Sequence, residues 1–308
     1  NSFSRDNIDR VAGMYVQGED GKLLLQAGRD VNLQAAQVVS SGENSQTQIA
    51  ANRDINMTTV TTGSSDKVVW DKDNHVTQTL TQVQGSEVTS DGNITLNAGN
   101  DINAQAAKLN ADRQLTLTAI NDINLGSASS QEYLDMNSKV KGSGFLSKST
   151  TTTRAGYDAT LANGSSLGGE NISVSAGNNL NITGSDVAAD QDLALRAGND
   201  LNVTAAEESR DSWSMKKTTK SGLMSSGGIG FFVGSIKEGS TSDTAALTHN
   251  NSTLGSVDGD TSLVAGNNIA VQGSDVIAGN DINMVANNIT IDAANDQSTT
   301  DTTYERKQ

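Results

Sequence analysis

The sequence predicts an all-β protein: a parallel β-helix of stacked coils of about 21 residues, with longer excursions between them. Three observations carry this prediction. A short corner phrase, AGNDINA at 98–104, recurs along the chain. Alternating apolar and polar residues flank its copies, as in half-buried strands. Aromatic residues make up only 3% of the chain and proline is absent, which suits a narrow aliphatic core whose strands all donate backbone N–H groups.

Eight copies of the corner phrase form four pairs, and an extra copy, AGNDINM at 278–284, shows that the phrase can occupy more than one side of a coil. The paired copies begin at Ala27, Ala51, Ala98, Ala119, Ala176, Ala197, Ala265 and Ala286. Copies within a pair are 21 to 24 residues apart, whereas successive pairs begin 71, 78 and 89 residues apart. A repeat of this size cannot bury its apolar face alone, so it must stack on copies of itself. We expect one repeat domain over residues 1–308, with super-repeats at about 22–91, 92–170, 171–260 and 261–308.

The inward residues of successive coils are expected to stack. Ile102 should lie over Ile123, and Leu201, Ile269 and Ile289 should stack in the same way within their own pairs. Coils about 4.8 Å apart place each of these side chains in contact with its equivalents. Burial of each contributes about 1.5–3 kcal/mol.

Two residue types are expected to shape the coils. Glycine should sit at corners where φ is positive or where two backbones approach closely, and the candidates are Gly99, Gly177, Gly198 and Gly266. Asparagine follows the inward aliphatic residue at Asn32, Asn56, Asn103, Asn124, Asn181, Asn202 and Asn283. Stacked amides can hydrogen bond along the axis as a ladder. The alternative is that each asparagine is only an outward polar residue beside a turn.

The excursions, at 58–91, 126–170 and 204–260, are too long for corner loops. We expect projecting hairpins, or one irregular coil plus a hairpin. Their candidate contact residues for a membrane or partner are Trp70, Phe145, Trp213, Ile229, Phe231, Phe232 and Val233. The stretch 229–236 is the most apolar in the chain, and it forms either such a contact at a hairpin tip or a cover for the flank of the helix.

The charge argues against nucleic acid as a partner. The chain carries a formal charge of −15, which repels phosphate. The acidic repeats superficially resemble calcium-binding β-rolls, but those need aspartates every nine residues. Here the period is about 21, and Asn179, Asn268 and Asn288 replace aspartate. We therefore expect neither calcium nor another metal, and no cofactor.

The sequence also argues against an enzyme. Its acids follow the repeat register, which is a structural distribution, and its two histidines, His75 and His249, are isolated in excursions. No nucleophile motif, phosphate loop or HExxH pattern is present. The chain lacks cysteine, a signal peptide and any long apolar run. The chain opens and closes within its repeat pattern, so we expect it to be a fragment of a longer protein.

The paired AGNDINL-type coils resemble the haemagglutinin repeats of filamentous haemagglutinin-like proteins. The stretch 212–231, SWSMKKTTKSGLMSSGGIGF, resembles the excursion signature of that family. The closest similarity is to the second haemagglutinin-repeat region of CdiA-type contact-dependent growth inhibition effectors, and it covers essentially the whole chain. The second excursion keeps only GSGFLS at 142–147, and the first lacks the signature.

This resemblance implies a right-handed β-helix in a very large exoprotein. Such proteins leave the cell through a two-partner secretion transporter and stand on the bacterial surface. The resemblance further implies contact with the target-cell outer membrane during delivery of a toxin. The toxin and its immunity protein would lie outside this fragment. An adhesin stalk from the same superfamily is the alternative role.

Overall fold

The structure is a computed structural model that describes residues 1–144, 146–225 and 231–308. Short strands alternate in sequence with pairs of long ones. The strands are β1 (Ser2–Asp6), β2 (Gly13–Gln17), β3 (Lys22–Ala27), β4 (Val31–Gln34), β5 (Gln37–Ser41), β6 (Gln46–Ala51), β7 (Ile55–Thr58), β8 (Val60–Asp71), β9 (Asn74–Gln84), β10 (Glu87–Ser90), β11 (Asn93–Ala98), β12 (Ile102–Gln105), β13 (Lys108–Ala119), β14 (Ile123–Gly126), β15 (Ala128–Gly144), β16 (Ser147–Asn163), β17 (Ser166–Ala176), β18 (Leu180–Thr183), β19 (Asp186–Ala189), β20 (Leu193–Ala197), β21 (Leu201–Thr204), β22 (Ala206–Ser225), β23 (Phe231–Asn250), β24 (Thr253–Ser256), β25 (Thr261–Ala265), β26 (Asn268–Gln272), β27 (Asp275–Ile277), β28 (Ile282–Val285), β29 (Asn288–Asp292) and β30 (Gln297–Lys307).

The short strands form coils that stack in chain order. Equivalent strands of neighbouring coils pair in parallel on three faces. The first face has the order β2-β5-β10-β13-β17-β19-β24-β27, the second β3-β6-β11-β13-β17-β20-β25-β28, and the third β4-β7-β12-β14-β18-β21-β26-β29. Two strands, β13 and β17, run through both of the first two faces. The predicted parallel β-helix is confirmed.

The aliphatic stack inside the coils is also confirmed, except that Ile289, in the last strand of the third face, pairs with Ile269 but is 45% exposed. Ile102 pairs with Ile123, and Leu180 with Leu201. The column continues between the predicted pairs as well, because Ile123 pairs with Leu180 and Leu201 with Ile269. These side chains are almost fully buried. The core is therefore one uninterrupted column, to which each aliphatic side chain contributes about 1.5–3 kcal/mol.

The corner after the third face alternates between two forms. In every second coil it is a tight turn with φ between 45° and 55°, at Ala35, Ala106, Gly184 and Gly273. After each intervening coil the chain leaves this corner in a long hairpin: β8–β9, β15–β16 or β22–β23. Each excursion is therefore a hairpin followed by the first strand of the next coil, and that strand pairs regularly in the first face, so the alternative of an irregular coil is wrong.

The hairpins do not project separately. They pair edge to edge into one antiparallel sheet, ordered β1-β8-β9-β15-β16-β22-β23-β30, which we call the hairpin sheet. Its geometry matches the coils, because strands in either kind of sheet lie about 4.8 Å apart. Two coils and one two-stranded hairpin occupy the same length along the axis. Each hairpin therefore meets the next without a gap.

Candidate functional site

The predicted asparagine positions on the third face are joined by side-chain hydrogen bonds. Asn124 Nδ2 donates to Asn103 Oδ1 at 2.9 Å, and Asn181 Nδ2 donates to Asn124 Oδ1 at 2.9 Å. The same bond links the six asparagines of six successive coils, which are Asn32, Asn56, Asn103, Asn124, Asn181 and Asn202. Asn283 was assigned wrongly: it lies on the second face opposite Ser262. We call the six residues the asparagine ladder.

The predicted glycine corners lie where backbones approach closely. A Cβ at Gly198 would lie 1.9 Å from the carbonyl oxygen of Gly177, and one at Gly177 would lie 2.0 Å from that of Ile120. Gly99 and Gly266 face the same obstruction. None of the four has a positive φ. Close approach, rather than a left-handed backbone, is therefore the reason for glycine at these corners.

The acidic residues of the corner phrase also form an axial network. Asp101 Oδ1 accepts hydrogen bonds from Asn121 Nδ2 at 2.8 Å and from the Asp122 backbone N–H at 3.0 Å. Asp122 Oδ1 accepts the equivalent hydrogen bonds from the next coil, donated by Asn178 Nδ2 and the Asn179 backbone N–H. The carboxylates are thus acceptors for backbone and amide N–H groups of the neighbouring coil. Among the described residues, no group of three or more His, Asp or Glu side chains is arranged to hold a metal ion.

Buried serines hold the point where the hairpins return to the coils, a feature that the sequence reasoning missed. Ser165 follows the second hairpin, and its N–H donates to Ser185 Oγ at 3.0 Å. The Ser185 N–H donates to Ser252 Oγ, also at 3.0 Å. Gly-Ser pairs at 85–86, 164–165, 184–185 and 273–274 were the available signal.

A polar cluster ties the three hairpins together around Asp135, whose side chain is only 12% exposed. Asp135 Oδ1 accepts from Arg154 Nε at 3.1 Å and from Trp213 Nε1 at 3.3 Å. His75 Nε2 lies 3.8 Å from Asp135 Oδ2. Burial raises the pKa of the Asp135 carboxyl, but the bonds from Arg154 and Trp213 and the nearby His75 outweigh it and lower that pKa.

Trp213 is therefore engaged inside the hairpin sheet. Its ring also lies 6.0 Å from that of Tyr133, and the Arg154 guanidinium is 5.9 Å from its centroid. The three hairpins contribute His75, the pair Asp135 and Arg154, and Trp213 respectively. Sequence reasoning treated His75 as an isolated bystander because 60 residues separate it from Asp135. The other histidine, His249, pairs with Asp296 at 2.9 Å.

Trp70 lies on the surface beside the turn of the first hairpin and is 68% exposed. It borders a hollow of about 450 Å³ whose apolar lining includes Val76, Met136 and Ala155. Met136 is itself exposed. An exposed indole beside an apolar hollow can contact a partner or a lipid surface.

The far end of the third hairpin presents apolar side chains to solvent. Val233 pairs with Leu223 in the hairpin, and it is 81% exposed. The flank of the helix therefore does not cover it, contrary to one of the two alternatives for this stretch. Phe232 pairs with Met224 beside it. The remaining predicted contacts lie outside the described residues: Phe145, Ile229 and the side chain of Phe231.

The net charge differs sharply between the hairpin sheet and the coils. The hairpin strands and their turns (1–6, 60–84, 128–163, 206–250 and 297–307) contain fourteen Lys or Arg and fourteen Asp or Glu. The coils contain the other seven basic and 22 acidic residues, and so carry the whole charge of −15. The outer halves of the two longest hairpins, 136–155 and 214–242, contain eight basic residues and one acid.

Exposed lysines and apolar side chains lie at one end of the hairpin sheet, and the acidic coils lie at the other. Among the described residues, no helix is long and apolar enough to cross a membrane.

Comparison with known proteins places these features in a family. The model of the haemagglutinin repeat matches residues 69–166 and 146–307. A tRNA nuclease CdiA from Escherichia coli strain STEC_O31 is 38% identical over 98% of this chain and 9% of its own length. A 16S rRNA endonuclease CdiA from Enterobacter cloacae is 38% identical over 73% of this chain and 7% of its own.

A tRNA nuclease CdiA from Burkholderia pseudomallei is 30% identical over 54% of this chain and 13% of its own length. The chain thus spans only a small fraction of the relatives that it matches. No solved structure matches it. The repeat match covers most of the chain, and it includes both coils and hairpins: the chain belongs to the haemagglutinin-repeat family, as a β-helical region of the CdiA type.

Proposed function

We propose that this chain is a non-catalytic β-helical segment of a secreted contact-dependent growth inhibition effector, and that it assists delivery of a toxin across the target-cell outer membrane. The parent protein would leave its cell through a two-partner secretion transporter. The nuclease names of the relatives refer to much longer proteins. The coils described here supply the stack that carries the hairpin sheet.

One observation carries this proposal: the hairpin sheet presents basic and apolar side chains at its far end, whereas the coils are strongly acidic. A β-helix that acted only as a spacer would not need a basic and apolar end on its hairpin sheet. Lysines beside exposed apolar side chains are the combination that attracts a protein to an anionic membrane surface. We therefore assign the contact with the target cell to the hairpin ends.

The test uses the full effector on living target cells. Leu223, Phe232 and Val233 are replaced together by Asn, and the control replaces the exposed coil residues Ile120 and Val257 by Asn. We expect the hairpin variant to be displayed and to adhere normally, yet to lose most inhibition of target cells. The control should inhibit fully.

The alternative role, a stalk of an adhesin, draws support from the uninterrupted coil core. A stalk predicts that the hairpin variant inhibits as well as the unchanged effector. It also predicts that the segment stays sensitive to external protease on target cells. Delivery predicts that the segment becomes protected from protease there, and that the hairpin variant does not.

A further inference from the structure

A second hollow lies on the hairpin sheet between the third hairpin and β30. It has a volume of about 350 Å³ and is lined by Lys217, Lys237, Gly239, Glu305 and Lys307, among others. It is distinct from the apolar end at Val233. Lys216 and Glu238 border it as well, so four lysines and two glutamates surround one concave site. Three of these lysines, Lys217, Lys237 and Lys307, raise the question of which anion the site would bind.

The strand register explains how the lysines come together. Lys217 pairs with Gly239, which pairs with Glu305. Two residues further along, Lys237 pairs with Lys307. Residues two apart on a strand share a face, so all five positions lie on the same face of the sheet. Glycine lacks a side chain, and Gly239 therefore leaves the centre of the group open as a floor.

Two further observations point to a ligand. Like charges directly opposite each other on neighbouring strands are destabilising, and Lys237 and Lys307 are so placed. Within the described part of the chain, none of the three ammonium groups forms an ion pair. A Cβ at Gly239 would meet no atom closer than 3.9 Å, so packing does not require glycine there.

We propose that this hollow binds a phosphate monoester, carried on a sugar or on a lipid headgroup. The four lysines and two glutamates that line the hollow give it a formal charge of about +2, which matches a phosphate dianion. Thr241 and Thr303 border the same hollow, and their hydroxyls can donate further hydrogen bonds. The proposal does not depend on the delivery role.

The test measures binding of two probes to the 308-residue chain. One probe is glucose 6-phosphate, followed by calorimetry, and the other is phosphatidylcholine vesicles containing phosphatidic acid, with pure phosphatidylcholine vesicles as the blank. Lys237→Gln with Lys307→Gln should weaken binding at least about tenfold, because each loses a charge-assisted hydrogen bond. The control, Lys141→Gln with Lys148→Gln, removes two exposed charges from the second hairpin, outside this hollow, and should bind normally.

Two more variants sharpen the result. Glu305→Gln should tighten binding, because it removes the opposing charge. Gly239→Thr should fill the floor and abolish binding while the chain stays folded, and Ser242→Thr, on the opposite face and outside the hollow, is its control. Binding of glucose 6-phosphate assigns soluble sugar phosphates, and binding of the vesicles alone assigns lipid phosphate. Absence of both, or equal loss in the controls, overturns the proposal.

Discussion

Single residues determine how closely the coils can stack. At Gly177 and Gly198 the carbonyl oxygen of the neighbouring coil occupies the space of a Cβ. Gly126 lies inside the same stack, but the nearest atom to its Cβ position is 3.9 Å away. The chain therefore contains both a glycine that packing requires and one that it does not.

Gly198→Ala should destabilise the chain by about 1–3 kcal/mol, because the added methyl group must push two coils apart. Gly126→Ala, the matched control, should change stability by less than about 1 kcal/mol. Urea unfolding followed by circular dichroism measures both. Equal effects of the two variants would show that close approach is not the reason for glycine at the corner.

The asparagine ladder makes a second prediction at this scale. Asn124→Ala breaks two amide bonds, whereas Asn202→Ala breaks one, since Asn202 faces Ala270 in the next coil. We expect losses of about 1–2 kcal/mol at Asn124 and about half that at Asn202. An unchanged melting temperature for Asn124→Ala would mean that the ladder contributes nothing to stability.

Sequence alone anticipates much at this scale and misses a definite part. The spacing of inward aliphatics and of Asn103 and Asn124 follows from the repeat, because equivalent positions must stack. Asn283 was misplaced because the corner phrase also occurs on a second side of the coil. The Asp135 cluster was missed because its members come from three hairpins, and no repeat relates them.

At the scale of elements, the Asp135 cluster connects strands of different hairpins. Asp135 joins Arg154 of its own hairpin to Trp213 of the next, and His75 lies on the preceding one. The two hydrogen bonds that the Asp135 carboxylate accepts stabilise the fold most while that carboxylate is ionised. The contacts between hairpins should therefore depend on pH.

The pKa of Asp135 is lowered in the folded chain, so the unfolded chain takes up its proton first as the pH falls. The stabilisation is complete above the ordinary pKa of about 3.9 and is lost as the pH falls through the lower folded value. Asp135→Asn should cost about 1–2 kcal/mol at pH 7. Its stability should then decline less than that of the unchanged chain between about pH 5 and pH 3.

Chemical denaturation at several pH values gives this comparison. Three other aspartates with lowered pKa values, Asp30, Asp71 and Asp73, are present in both proteins, so the difference between the curves belongs to Asp135. Parallel pH curves would show that Asp135 does not titrate differently in the folded chain.

The structure of the whole molecule requires that the stacked coils and the hairpin sheet extend by equal distances along the axis of the helix. Two coils add two strands to each face of the helix, and one hairpin adds two strands to the hairpin sheet. Because strands lie about 4.8 Å apart in both, the two sheets extend by the same distance along the axis. Sequence predicted the coils and the excursions but not this match, because the hairpin strands carry no repeat phrase. Their pairing follows only once the stacked coils fix where each hairpin leaves the helix.

Deletions test this match. Removing residues 106–126, one coil, joins Gln105 to Ser127 and brings two hairpins one strand too close. Removing residues 86–164, two coils and one hairpin, joins Gly85 to Ser165 and preserves the step. The larger deletion should unfold in one cooperative transition, and the smaller one should lose cooperativity or aggregate. Calorimetry distinguishes them, and the opposite order would exclude the match.

The same equality of steps has a consequence for how such chains evolve. A duplication or loss within the repeat region keeps both sheets intact only when it covers two coils together with their hairpin. Insertions and deletions of whole super-repeats, of roughly 70 to 90 residues, should therefore be retained in evolution, whereas insertions and deletions of single coils should be lost. Homologous segments should differ in length by multiples of that unit, with the remaining variation confined to the length of the hairpins.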